Sequence, residues 1–267
     1  MISMPLLKAT IKSNYKVLII FMVVLAFYFS MIVGMFDPDT LDSMNALIES
    51  LPKDLISALN FTIVDTSLLG FIAGYFYGFL ILLFPLIYSI IVANRTIAKH
   101  VDKGSMAYLL STPNTRVKIA VTQGLFLIGS ITLLIAFVTL IGIISSEAMF
   151  PGALDISGFL LLNLGTLLLY YAISGIGFIA SCFFNDTNQS LAVGGGIPVA
   201  FLIIQMLSNV GDQLSNLKYA TLLTLFNPTD IINKVSGFGT SFVALFILSV
   251  ILYSGGIYIF SKKDLPL

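Results

Sequence analysis

The sequence predicts an all-α integral membrane protein with six transmembrane helices, both termini in the cytoplasm and an N-terminal interfacial helix. Three observations predict it: the composition, six long uncharged apolar runs, and a one-sided distribution of basic residues. Of 267 residues, 58% are hydrophobic and only 10% charged, with a mean hydropathy of +1.02. A soluble domain carries about 25% charged residues, so apolar surface on this scale needs lipid as a second apolar phase.

The runs are Val17–Phe36, Ser67–Ala93, Ile119–Ile144, Ser157–Phe184, Leu191–Leu207 and Ser241–Phe260, and none contains Asp, Glu, Lys, Arg or His. Each approaches or exceeds the ~20 residues of a spanning helix. Helix is the expected form, because hydrocarbon offers backbone N–H and C=O groups no partner. The first run is too long for a signal-peptide core and is followed by Phe36-Asp37-Pro38-Asp39, not by a small-residue cleavage site, so it is expected to be retained.

Basic residues set the orientation. Lys8, Lys12 and Lys16 precede the first run, Arg95, Lys99, Lys103, Arg116 and Lys118 lie between the second and third, and Lys262 and Lys263 follow the sixth. These are ten of the thirteen basic residues; Lys53, Lys218 and Lys234 fall on the opposite side. The positive-inside rule then puts both termini and the 2–3 loop in the cytoplasm. Ten of thirteen acidic residues fall on the other side. The 4–5 loop, Asn185–Ser190, has no Lys or Arg, so its cytoplasmic placement rests on counting spans.

Before the first run, Ser3 and Pro5 suit a helix start. Lys8, Lys12 and Lys16 recur every fourth residue beside Leu7 and Ile11, which suits an interfacial helix over residues 1–16 among anionic headgroups; a simple basic flank predicts the same orientation. Two extracellular loops are expected, 37–66 and 208–240. In the first, Met44, Leu47, Ile48 and Leu51, then Leu55, Ile56 and Leu59, recur at helical spacing around Pro52. In the second, Tyr219–Phe226 is apolar but too short to span, which suits a partly re-entrant excursion. The whole chain, 1–267, forms one membrane domain with no soluble domain.

The missing chemistry narrows the function. Without intramembrane charge there is no titratable relay for proton coupling. His100 is the sole histidine and lies in the 2–3 loop, expected in solvent, so no catalytic or metal constellation can be built on it. The single cysteine, Cys182, is expected to be a packing residue. The tract Gly255–Lys263 lacks the second glycine of a phosphate-binding loop, so no nucleotide or other cofactor is expected in this chain. A zero net charge argues against nucleic acid.

Gly70, Gly74 and Gly78 share a helix face at four-residue spacing, which favours close helix packing. Gly175 with Gly177, and Gly194-Gly195-Gly196, suit close contact or bending. Asn163 and Gln205 are expected to bond between helices. Tyr75, Tyr77, Tyr88, Tyr170 and Tyr171 suit either packing or an amphipathic substrate route.

The 2–3 loop, 94–118, reads NRTIAKHVDKGSMAYLLSTPNTRVK. Arg95–Lys103 can extend the second helix, Gly104 breaks it, and Ser105 can cap a short helix with Met106, Leu109 and Leu110 on its apolar face, limited by Pro113. That face needs a cover: the protein's own helix ends, the lipid surface or a partner groove.

The stretch Gly104–Arg116 resembles the cytoplasmic loop of type-2 ABC transporter permeases (ABC-2), which carries a Gly, an apolar -Leu-Leu-Ser-x-Pro- and a basic residue. The ending SKKDLPL at Ser261–Leu267 is similar to theirs, as are six spans with both ends inside. Members place a glutamate early in the loop, where Asn94-Arg95 stands here. The resemblance implies a bacterial exporter permease in the cell membrane. It would pair with a second permease copy, as a homodimer or heterodimer, and with separate ABC ATPase subunits carrying ATP and Mg²⁺. Gly104, Ser105, Met106, Leu109, Leu110, Pro113 and Arg116 would form the ATPase-coupling segment. Substrates of the family include drugs, antimicrobial peptides and lipids. The alternatives are a self-contained channel or secondary carrier and a non-transport membrane scaffold.

Overall fold

The computed structural model describes residues 2–37, 52–59, 66–210 and 212–265. Among them the regular elements are all helical, and six helices are long and apolar enough to cross a membrane. Both surfaces of the bundle are apolar: Phe27 on the first span is 64% exposed and Ile251 on the last 60%. Large hydrophobics turned outward on membrane-length helices face lipid rather than water.

The first span is α1 (Met4–Gly34), with Pro5 in its first turn. The interfacial segment is helical, as the sequence predicts, but it is continuous with the span rather than a separate short helix. No Pro or Gly interrupts residues 6–33, and the N-terminal turns are held by tertiary contacts. Ser3 donates its backbone N–H to Thr122 Oγ1 at 2.9 Å, and Gln123 Nε2 donates to Thr10 Oγ1 at 3.1 Å. Leu6, Thr10 and Asn14 are buried, while Lys8, Lys12 and Lys16 stay on the exposed face.

In the connection between the first and second spans, α2 (Lys53–Ala58) starts after Pro52 and packs on the fifth span; Met44, Leu47, Ile48 and Leu51 lie outside the described residues. The second span begins with α3 (Leu68–Ile72), whose Ser67 hydroxyl accepts from Gly70 N–H at 3.0 Å. It continues through a π-helical stretch, Ala73–Leu80, into α4 (Ile81–Asn94). Gly70, Gly74 and Gly78 are all buried within the chain. Pro85, inside α4, has no N–H for the Ile81 carbonyl four residues earlier. Tyr170 of the fourth span supplies the missing donor, giving its O–H to the Ile81 and Leu82 carbonyls at 2.8 and 2.6 Å.

After α4 come two short helices, α5 (Ala98–Asp102) and α6 (Ser105–Ser111), then the third span α7 (Arg116–Met149), the fourth α8 (Ile156–Phe183) and the fifth α9 (Thr187–Val210). Two 3-10 segments, Asp212–Ala220 and Leu222–Leu225, and α10 (Pro228–Ile232) precede the sixth span α11 (Phe238–Lys262). Helix α8 is the hub: α4, α7, α9 and α11 all pack on it, while α1 packs mainly on α7.

The glycines of α8 and α9 serve close approach. A Cβ on Gly177 would stand 2.7 Å from Ala93 Cβ, and one on Gly194 would stand 3.0 Å from both Ala180 Cβ and the Gly177 Cα. Spans 2, 4 and 5 therefore cross nearly backbone to backbone, as small residues permit in lipid. Gly175 faces Leu252 of α11, whereas Gly196 has open space.

The segment after α9 folds inward. Leu223, Phe226 and Ile231 are buried, the Phe226 ring lies 6.5 Å from that of Tyr77, and Ile231 approaches Gly165. Gly165 is nine residues along α8, about 14 Å from its start at helical rise, so the segment packs well along the fourth span. Gln205 holds it, its Oε1 accepting from Thr221 Oγ1 at 3.0 Å.

Candidate functional site

One end of the bundle gathers the basic residues, and the 2–3 connection forms an elbow there. Its anchor is Ser181, near the end of α8. The Ser181 hydroxyl accepts the Ile97 and Ala98 backbone N–H groups at 3.2 and 2.9 Å, and Thr96 Oγ1 lies 3.3 Å away. These are the first N–H groups of α5, which no carbonyl within that helix can satisfy. A side chain from the fourth span thus fixes where the second span turns. Ile97 and Ala98 are fully buried beneath the turn.

Gly104 then takes φ +68°, the left-handed conformation that glycine adopts without a Cβ penalty. It occupies the cap position of α6, and Ser105 is the first helical residue rather than the cap. The Ser105 hydroxyl instead donates to the His100 carbonyl at 3.2 Å and lies 3.0 Å from His100 Nδ1. His100, expected in solvent, is half-buried in that contact. The left-handed residue reverses the chain, so α6 folds back on α5.

The apolar face of α6 turns inward. Met106 is 1% exposed, and Leu109 and Leu110 are half-buried against the bundle core. Of the three covers considered for this face, the protein's own helix ends supply it. Tyr108, on the other side, is 75% exposed, with Ser105, Ala107 and Ser111 also outward. Pro113 lies in the link after α6. There Thr112 Oγ1 bonds the Leu109 carbonyl at 2.6 Å, and Thr115 Oγ1 caps α7 by accepting from Lys118 N–H at 3.2 Å. Arg116 donates to the Lys263 carbonyl, and Lys263 Nζ donates to the Cys182 carbonyl at 3.1 Å. The chain end is thereby tied to spans 3 and 4, and partial burial lowers the Lys263 ammonium to about 8.

The connection between α8 and α9 lies at this same end. Thr187 donates to Asp102 Oδ2 of α5 at 2.6 Å, and Asp186 Oδ1 caps α9 by accepting from Asn188 and Gln189 N–H. The crossing that rested on counting alone is therefore tied directly to the elbow.

The structure brings Gly104, Ser105, Met106, Leu109 and Leu110 together on α6, and Arg116 beside the chain end. Gly70, Gly74 and Gly78 lie elsewhere, along the second span. Ser181, Thr96 and Gln123 were not singled out from the sequence. Gln123 had a signal, being a carboxamide inside an apolar run. Ser181 had none, since serine is common in membrane helices. Tyr170 is a backbone partner for α4, and Tyr171 OH lies 2.7 Å from Thr132 Oγ1 between spans 4 and 3. Cys182 is a free, buried packing residue.

Six membrane-length helices, each carrying an uncharged apolar run, define a multi-pass membrane protein. The sequence profile described as ABC-2 family transporter protein matches residues 8–265, so the chain belongs to the ABC-2 transporter family, the membrane component of ABC transporters. No curated protein matches it.

Proposed function

We propose that this chain is the permease subunit of an ATP-driven exporter in the cytoplasmic membrane. It works as a homodimer or heterodimer, with both termini inside and ATP and Mg²⁺ bound by separate ATPase subunits. The substrate is a drug, an antimicrobial or amphipathic peptide, or a lipid-like molecule. The observation that supports this reading best is the two-sidedness of α6. Its inner face is seated in the bundle through Met106, and its outer face offers Tyr108 beside Ala107 and Ser111. A partner pressing on that outer face would move the elbow that joins spans 2 and 3 and bears on span 4 through Ser181. Exposed aromatics make good anchors for a partner groove.

Co-purification with candidate ATPases tests it. Tyr108→Asp is expected to lower ATPase capture about tenfold or more, as loss of an aromatic anchor does, with the permease still inserted and monodisperse. Unchanged capture by Tyr108→Asp would sink the assignment of α6 as the coupling helix. Met106→Asp is a poorer probe, because it puts a carboxylate into the protein's own core.

A further inference from the structure

A cavity of about 200 Å³ lies between the N-terminal turns of α1 and the elbow. Its polar lining comprises Thr10, Ser13 and Asn14 on one wall and Arg95, Lys99 and Lys103 on the other, with His100 and Ser105 at the rim. No acidic side chain lines it. The first 36 residues contain no Asp or Glu, and Asp102, the acid nearest in sequence, accepts a hydrogen bond from Thr187 on α9. Three cations thus converge on a space that also offers the Ser13 hydroxyl, while Asn14 donates to the Thr10 carbonyl at 2.9 Å and accepts from Arg95 at 3.5 Å, which orients that guanidinium.

Depth distinguishes this pocket from a loop in bulk water. Asn14 stands three residues before Val17, about 5 Å beyond the apolar run at helical rise, and Arg95 two residues past Ala93, about 3 Å. The headgroup layer occupies roughly 5–8 Å beyond the hydrocarbon. A second, larger cavity of about 300 Å³ flanks α1, lined by Leu7, Ile11, Leu18, Leu125 and Leu133, and Asn14 borders both. Its lining is almost entirely apolar, so an acyl chain fits there, next to a phosphate in the basic pocket.

We propose that this pocket is a binding site for the phosphodiester headgroup of an anionic phospholipid. The cations hold the phosphate, Ser13 donates to it, Asn14 positions Arg95, and the adjoining groove takes one acyl chain. The bound lipid clamps the first turns of α1 to the elbow. The site is independent of the export reading, since its occupancy is measured without transport.

Native mass spectrometry of the full chain in detergent, offered equal phosphatidylglycerol and phosphatidylcholine, tests the proposal. The wild type is expected to retain phosphatidylglycerol preferentially. Lys99→Gln with Lys103→Gln should weaken that retention about 30-fold, at about fivefold per basic residue, and Lys8→Gln with Lys12→Gln should leave it unchanged. Equal loss in the two double variants, or none in the first, would overturn it. The wild type alone gives a second readout: phosphatidylglycerol should slow acylation of Lys99 and Lys103 more than of Lys8 and Lys12, and equal slowing rejects the pocket. Excess inorganic phosphate is expected not to displace the lipid. Protection of Lys99 and Lys103 by inorganic phosphate with no lipid retained would assign the site to free phosphate and overturn the lipid proposal.

Discussion

Met106 and Tyr108 stand two residues apart on one short helix and face opposite ways. The distinction matters because an apolar residue in a basic loop invites a docking role, yet Met106 is already covered by its own chain. Tyr170 carries the same lesson inside the membrane. Its hydroxyl serves the Ile81 and Leu82 carbonyls beside Pro85, so it stabilises the second span rather than a substrate. Tyr170→Phe removes that donor and leaves a buried carbonyl unpaired, which costs about 1–3 kcal/mol. Denaturant titration of the purified protein should show that loss. A shift below about 0.5 kcal/mol, typical of inconsequential substitutions, would mean the carbonyls find another partner.

At the scale of elements, the crossing of spans 2, 4 and 5 depends on glycine at particular positions. Gly194→Ala adds a methyl 3.0 Å from the Gly177 backbone and from Ala180 Cβ, so the two helices must part by a few tenths of an ångström, and it is expected to destabilise by about 1–3 kcal/mol. Gly196→Ala, two residues on, meets open space and should be neutral or gain up to about 1 kcal/mol of helix propensity. Paired thermal-stability measurements separate them; equal effects would show that the backbone contact is not limiting. The lower α1 follows similar logic in reverse. Its contacts through Thr10, Gln123 and Ser3 hold the amphipathic turns in line with the span instead of letting them lie flat on the membrane.

For the whole molecule, the elbow, the α8–α9 connection and the chain end meet at one end of the bundle, while the 3–4 connection lies at the other. There Phe36 packs on Phe150 and Glu147 accepts from Gly152 N–H. Our orientation, basic end inside, follows from the lysine distribution. Its test uses two exposed positions, Tyr108→Cys and Ala153→Cys, in a protein whose single native cysteine is buried. An impermeant maleimide should label Ala153→Cys in intact cells and Tyr108→Cys only after permeabilisation. The reverse pattern would invert the topology.

The sequence by itself determined the membrane class, the six spans and the gathering of basic residues on one side of the membrane. Those features follow from transfer of side chains between water and hydrocarbon, a property of each residue and its immediate neighbours. It also located α6, because Gly104 and Pro113 are local breakers. Only the tertiary structure decided which face of α6 is free, since Met106 and Tyr108 differ in what lies above them rather than in what lies beside them in the chain. The same holds for Ser181, whose hydroxyl becomes the anchor of the elbow only because Ile97 and Ala98, more than eighty residues earlier, present their unpaired N–H groups to it. The fold makes that match, as it makes the basic pocket between α1 and Lys99, because long-range pairing of polar groups depends on how helices pack and is not written in local periodicity.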